Sequence, residues 1–254
     1  MSFRWDPSNK LSVLMPAFNE GREIVENLLR VRDVVRETGN FELVVVDDGS
    51  TDNTASELER ARGLIPELKV VILQKNVGKG HALKTGFEST TGDLVFFLDA
   101  DLDLPPEQME VLWETMLREN SEVVIGSKRH PQSANDYPMQ RRIMSAAYFF
   151  LVKIMFGLPI HDTQTGIKLF RREVLAKCFP KMLVKSFAYD LELLMLAHHY
   201  GYAIAEAPVV VKFHYKLGGI GVQSAWDIWW DTMALFYRLR ILKYYDQPQV
   251  SRKD

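Results

Sequence analysis

Short apolar runs that end in acid recur along the first half of the chain. Residues 11–16, 41–46, 70–73 and 94–98 are nearly unbroken stretches of strand-forming side chains, the pattern of strands buried on both faces. Between them the apolar period changes. Ile24, Leu28, Val31 and Val35 recur at helical spacing, which predicts an amphipathic helix over 22–37 that Gly39-Asn40 stops. Helices are likewise predicted from the turn at Asp52 to about residue 62, from Gly80 to about residue 90, and over 106–118. A further strand follows at 123–125. Strand and helix alternating through residue 126 predict an α/β fold with a mostly parallel sheet and helices on both faces. No repeat, linker or low-complexity stretch interrupts it, so the whole chain, 1–254, reads as a single domain.

The polar residues that end each run carry the chemistry. Leu94-Val95-Phe96-Phe97-Leu98 runs straight into Asp99-Ala100-Asp101-Leu102-Asp103. A buried strand does not absorb charge, so these carboxylates lie just past its C-terminal end, where open α/β sheets bind ligands. Like charges this close repel unless a cation joins them. Hard oxygen donors without cysteine or histidine favour Mg²⁺ or Mn²⁺, completed by substrate phosphates. The plain alternative is a solvated acidic turn, with Asp103 capping a helix ahead of Pro105 and Pro106. The second run ends in Asp47-Asp48-Gly49-Ser50-Thr51-Asp52, and the third leads to Lys75-Asn76-Val77-Gly78-Lys79-Gly80. Each is an ordinary turn by itself, and the latter lacks the Walker pattern. Three polar clusters on one side of one sheet are the parts of a nucleotide-diphosphate site.

Composition narrows the setting. A net charge of −2 gives no support for nucleic-acid binding. The single cysteine, Cys178, forms no intramolecular disulfide and suits a reducing compartment. The polar N-terminus does not read as a signal peptide. The longest apolar stretch, 144–160, is broken by Lys153, Gly157 and Pro159 and falls short of the ~20 residues of a spanning helix. The expectation is a cytoplasmic protein, peripheral at most on the cytoplasmic face of a membrane. Two stretches place aromatics beside cations: Tyr148, Phe149 and Phe150 after Arg141-Arg142, and Trp226, Trp229 and Trp230 before Arg238 and Arg240. Such helices lie at a lipid interface or cover the sheet, and both readings stand.

Several motifs follow in order: Pro16-Ala17-Phe18-Asn19-Glu20, Asp47-Asp48-Gly49-Ser50, Asn76-Val77-Gly78-Lys79-Gly80 and Asp99-Ala100-Asp101. Together they resemble the family 2 glycosyltransferases of GT-A fold. Gly126-Ser127-Lys128-Arg129, the 162–170 stretch beginning Asp162-Thr163-Gln164 and the 187–193 stretch around Asp190 extend the resemblance to polyprenyl- and dolichyl-phosphate mannose and glucose synthases. It covers about residues 10–215. It divides the chain into a nucleotide-sugar half (10–126), an acceptor half (127–223) and a C-terminal helical segment (224–254).

The resemblance implies inverting, metal-dependent transfer of a hexose from GDP-mannose or UDP-glucose to a polyprenyl or dolichyl phosphate. It implies Asp101 as principal metal ligand, with Asp99 and Asp103 directly or through water. It assigns Pro16, Phe18, Glu20, Asp47, Asp48, Asn76, Lys79, Asp99, Ala100 and Asp101 to the nucleotide sugar. Arg129, Arg142 and Lys168 are the expected contacts of the acceptor phosphate. A hydroxyl acceptor would instead need a base, for which Asp162 and Asp190 are the candidates; otherwise Asp190 and Glu192 cap a helix and fix the acceptor loop. Transfer to a glycan, protein or small-molecule hydroxyl, or a non-catalytic nucleotide-sugar-binding protein, are the alternatives.

Overall fold

The computed structural model describes residues 5–6, 8–133, 139–184, 188–210 and 222–247, excluding the side chains of 139–147 and 222–228. The apolar runs become β1 (Leu11–Ala17), β2 (Phe41–Asp47), β3 (Leu68–Ile72) and β4 (Leu94–Phe97), all parallel, with Leu11 level with Phe41 and Leu94. The sheet then continues through three more strands. β5 (Val123–Ser127) and β7 (Ile204–Pro208) pair in parallel, and β6 (Lys168–Arg171) lies antiparallel between β4 and β5. The order is β3-β2-β1-β4-β6-β5-β7.

Alternation along each strand divides the core in two. Leu11, Val13 and Met15 of β1, with Leu43 and Val45 of β2, face α1 (Ile24–Val35), α2 (Thr54–Arg62) and α4 (Met109–Arg118). Leu14, Val44, Val46 and Phe97 point the other way, toward α3 (Lys79–Ser89), α6 (Arg172–Cys178) and α7 (Tyr189–His199). Each fully buried Val, Leu or Phe contributes roughly 1.5–3 kcal/mol, so both layers hold the sheet flat-on between them.

Helix ends differ from the sequence expectation in small ways. α1 gives way to a 3₁₀ turn at Arg36–Thr38, and α4 is preceded by one at Pro106–Gln108. Asp103 caps neither, since Pro105 and Gln108 hold the cap positions. β6 and β7 have no counterpart in the apolar pattern. β6 begins with Lys168, only 1 % exposed, and a lysine at a buried strand position hides the strand from a reading based on apolar runs. β7 lies at the sheet edge and carries Glu206 and Pro208.

α5 (Met139–Phe156) and α8 (Val222–Phe236) pack together, with Tyr148 Oη 3.2 Å from Thr232 Oγ1. α8 runs into a π-helical turn, Tyr237–Ile241, and a 3₁₀ turn, Tyr244–Asp246. Leu235, Leu239 and Tyr245 are buried in the core, while Phe150, Ile154, Trp229, Trp230, Tyr237 and Ile241 are exposed. The C-terminal segment therefore covers the domain with one face and leaves aromatic and aliphatic side chains on the other. Among the described residues, no helix is long and apolar enough to cross a membrane.

Candidate active site

The chain leaves β1 for β2 on one side and crosses to β4 on the other, so a crevice opens at the C-terminal edge where the strand order reverses. A cleft of about 560 Å³ lies there. Pro16, Phe18 and Glu20 line it from the end of β1, and Asp48 from the end of β2. Asn76 and Lys79 enter from the loop before α3, and Asp99, Ala100 and Asp101 from the end of β4. Phe18 is 43 % exposed; it stands on the cleft and not in the core.

Backbone N–H groups clamp the donor-side carboxylates. Asp48 accepts from Val77 N and Gly78 N, each at 2.9 Å, which ties β2 to the start of α3. Gly49 sits beneath this loop at φ 69°, where a Cβ would fall 2.3 Å from the Lys75 carbonyl carbon; glycine alone allows both the conformation and the approach. Asp47 does not line the cleft. It is 1 % exposed and accepts from Ser50 N at 2.9 Å, a turn-forming role.

The acidic row is split by its own backbone. Leu102 adopts the left-handed conformation (φ 53°) with its side chain buried, at a cost of about 1–3 kcal/mol. The chain turns there, and Asp103 donates its N–H to Asp101 Oδ1 at 3.1 Å while standing outside the cleft lining. Among the described residues no three His, Cys, Asp or Glu side chains gather as a direct metal cage, which leaves water-mediated ligation as the form open to Asp103. The cleft presents Asp101, with Asp99 beside it ion-paired to Lys79. Burial, and then the charges of Asp99 and Asp103, push the Asp101 pKa up. A carboxylate raised by neighbours of its own sign is stabilised as the anion by an arriving cation. One or two carboxylates completed by phosphate and water suit Mg²⁺ or Mn²⁺, so this donor set fits a divalent ion brought with a diphosphate.

The acceptor-side expectations divide. Lys168 is not a surface cation: it is ion-paired to Asp190 Oδ1 at 2.5 Å and donates to the Thr165 carbonyl inside the core. Burial raises the Asp190 pKa in spite of Lys168 and Lys79. Asp162 accepts from Lys128 N, Gln164 N and Thr165 Oγ1 at 2.8–3.1 Å, which folds the 162–166 loop against the end of β5. Glu192 receives Leu183 N, Val184 N and the Tyr245 hydroxyl; neither it nor Asp190 caps α7, whose N-cap position is held by Ala188 without a side-chain cap. Arg129 lies over the Phe149 ring at 5.5 Å. The side chains of Arg141 and Arg142, and residues Lys212, His214 and Lys216, lie outside the described residues.

Two features were not singled out from the sequence. Lys153 also lies over Phe149, at 5.8 Å, and His161 stacks on that ring at 5.2 Å; a lysine within an apolar helix gave no signal beyond interrupting it. A Cβ on Gly166 would fall 2.0 Å from Asp99 Oδ2, so the loop before β6 touches the Asp99 carboxylate through a residue that must lack a side chain.

The glycosyl transferase family 2 profile matches residues 12–179, more than half of the chain. The chain belongs to this family. This family 2 glycosyltransferase is 30 % identical over 258 residues to a dolichyl-phosphate beta-glucosyltransferase of Trichomonas vaginalis, covering 96 % of this chain and 79 % of the relative. It is also 30 % identical to the human dolichyl-phosphate beta-glucosyltransferase, covering 94 % and 78 %. Among solved structures it is similar to glucosyl-3-phosphoglycerate synthase of Mycobacterium tuberculosis in complex with Mn²⁺, UDP-glucose and phosphoglyceric acid. The TM-score is 0.69 at 19 % identity, with 97 % of this chain and 86 % of that one covered. A mannosyltransferase of Pyrobaculum calidifontis in complex with GDP-mannose and Mn²⁺ gives 0.61 at 22 % identity, covering 97 % and 67 %. The mostly parallel seven-stranded sheet of this family 2 enzyme is thus the GT-A fold.

Proposed function

We propose that this enzyme transfers glucose from UDP-glucose, with inversion, to the phosphate of a dolichyl or other polyprenyl phosphate at a membrane surface. The glucose and the dolichyl phosphate follow the named activity of relatives aligned over nearly the whole chain. The single observation favouring a phosphate acceptor is the engagement of both candidate bases. Asp190 is buried in an ion pair with Lys168, and Asp162 is filled by three donors. A hydroxyl acceptor needs a base within reach of its proton, whereas a lipid phosphate arrives already ionised.

In this reading Phe18, Glu20 and Asn76 hold the base and ribose, and Lys79 the diphosphate. Arg129 and Lys153, flanking Phe149, receive the acceptor phosphate and offset its repulsion from the donor. The acceptor oxygen bonds to the anomeric carbon as the bond to the diphosphate breaks, and UDP leaves with the electron pair. Asp101, with Asp99, would hold a divalent ion, which would supply Lewis-acid stabilisation of the charge on the leaving diphosphate. The exposed Phe150 and Ile154 lie on the same helix as Phe149 and Lys153, so a lipid tail would leave the phosphate site along an apolar face. The exposed Trp229, Trp230 and Ile241, with Arg240 and Lys243 in the same C-terminal segment, suit seating in the headgroup layer.

The test is a donor screen with Mn²⁺ and a short polyprenyl phosphate, reading nucleoside diphosphate and lipid-linked sugar. Lipid-linked glucose from UDP-glucose is the expected product. Lipid-linked mannose from GDP-mannose would replace the donor, and no lipid-linked product with either would overturn the reading.

A further inference from the structure

The cleft contains its own cation. Lys79 opens α3 directly after Gly78, and its ammonium is ion-paired with Asp99, the first carboxylate past β4. The backbone at Gly166 closes on the same carboxylate, leaving no room there for even a methyl group. Asp190, near enough for its charge to act on Lys79, has a partner in Lys168. Asp101 has no ion pair among the described residues and receives only the Asp103 N–H. The acidic row is therefore part-neutralised from within, at the carboxylate adjoining the one that would hold a metal.

Two cations cannot share Asp99 without repelling each other. At the few ångströms involved, even a screened pair of like charges repels enough to weaken binding severalfold. A divalent ion entering alone must either meet the ammonium or leave it without a partner. A nucleotide diphosphate removes the conflict, because its oxygens give the ammonium another anion.

We propose that Lys79 is a resident counter-ion of Asp99 that moves to the incoming diphosphate, so that the divalent ion binds well only in company with the nucleotide. The inference rests on reading the cleft as a nucleotide-sugar site. Because binding free energies are reciprocal, the same coupling makes the nucleotide bind better with the metal than without it.

The test is Mn²⁺ binding to the whole chain without nucleotide, followed by the electron paramagnetic resonance signal of free Mn²⁺. Lys79→Met should tighten nucleotide-free Mn²⁺ binding about 3- to 10-fold, the fold-change expected from removing one screened like charge. It should also weaken UDP binding at saturating Mn²⁺. Lys79→Arg should keep the weak metal binding of the parent, and the gain from Lys79→Met should vanish in an Asp99→Asn background. Lys79→Gln, which keeps a polar tip, replaces the methionine variant if that one melts early. Nucleotide-free Mn²⁺ affinity that is unchanged or weaker in a folded Lys79→Met or Lys79→Gln protein overturns the counter-ion role. None of these readouts uses an acceptor. A tightened Mn²⁺ affinity without lipid-linked product would contradict only the acceptor reading, and lipid-linked product with unchanged affinity only the counter-ion.

Discussion

The two sides of the sheet treat charge in opposite ways. From β1 to β4 the cleft carboxylates stand past the strand ends, Asp48 held by the backbone N–H groups of Val77 and Gly78 and Asp99 paired with the Lys79 ammonium at the cleft wall. Around β6 and α7 the charges lie inside the core and neutralise one another, as Lys168 and Asp190 do at 2.5 Å. A carboxylate held by N–H groups at a cleft keeps part of its field for a ligand. A buried pair spends its field internally and serves the fold. Residue types alone do not separate the two cases: Lys168 and Asp190 look as functional in sequence as Lys79 and Asp99.

The sharpest way to break this contrast is Asp101→Ala. We expect at least a 10³-fold loss of transfer, about 4 kcal/mol in the barrier, with the melting temperature nearly unchanged. Wild-type turnover would remove Asp101 from the metal site. The reverse pattern is expected at Lys168→Met, which leaves Asp190 buried without its partner. Chemical denaturation should register a loss of about 3–5 kcal/mol. A stable Lys168→Met protein with a raised acceptor KM would instead restore Lys168 as a phosphate contact.

Glu42 probes the donor side at the opposite end of its strands. Burial opposes its charge, but Ser12, Lys69, Thr91 and Lys10 together bring its pKa from 4.5 down to about 2. The native pKa lies below the unfolded one, so the stabilisation is complete above about pH 4.5 and is lost as pH falls toward 2. Glu42→Gln should lower stability at pH 7 by roughly 2 kcal/mol and flatten the acid limb of the stability–pH curve between those values. An unaltered acid limb would deny Glu42 this role. The smallest effect is expected at Trp229→Ser with Trp230→Ser. Co-sedimentation with anionic vesicles should fall several-fold while the melting temperature changes little. Equal vesicle binding would assign that face to another partner.

Much of the donor side was legible because position along a buried strand dictates where charge goes. The Leu94–Leu98 run required Asp99 and Asp101 to lie past β4, and both line the cleft with Phe18, Glu20, Asn76 and Lys79. That Asp103 stands outside the cleft lining could not be read from spacing, which does not reveal a left-handed turn at Leu102, a conformation leucine seldom takes. Asp47 and Asp48 are adjacent and alike in sequence, yet the strand sends one carboxylate into a turn and the other to the cleft. On the acceptor side β6 stayed hidden, since Lys168 occupies a position that the apolar pattern reserves for Val or Ile. Long-range pairs such as Lys168 with Asp190, or Gly166 against Asp99, depend on chain crossings that no local period encodes.

The central claim is that the acceptor is already an anion and needs no base. Two acceptors differing only in the phosphate, a short polyprenyl phosphate and the corresponding polyprenol, test it directly with UDP-glucose and Mn²⁺ across pH 6–9. The account predicts lipid-linked glucose on the phosphate alone, with no requirement for a group that loses its proton in that range. Glucose transferred to the polyprenol with a base-limited pH profile, and abolished by Asp162→Asn or Asp190→Asn, would contradict it.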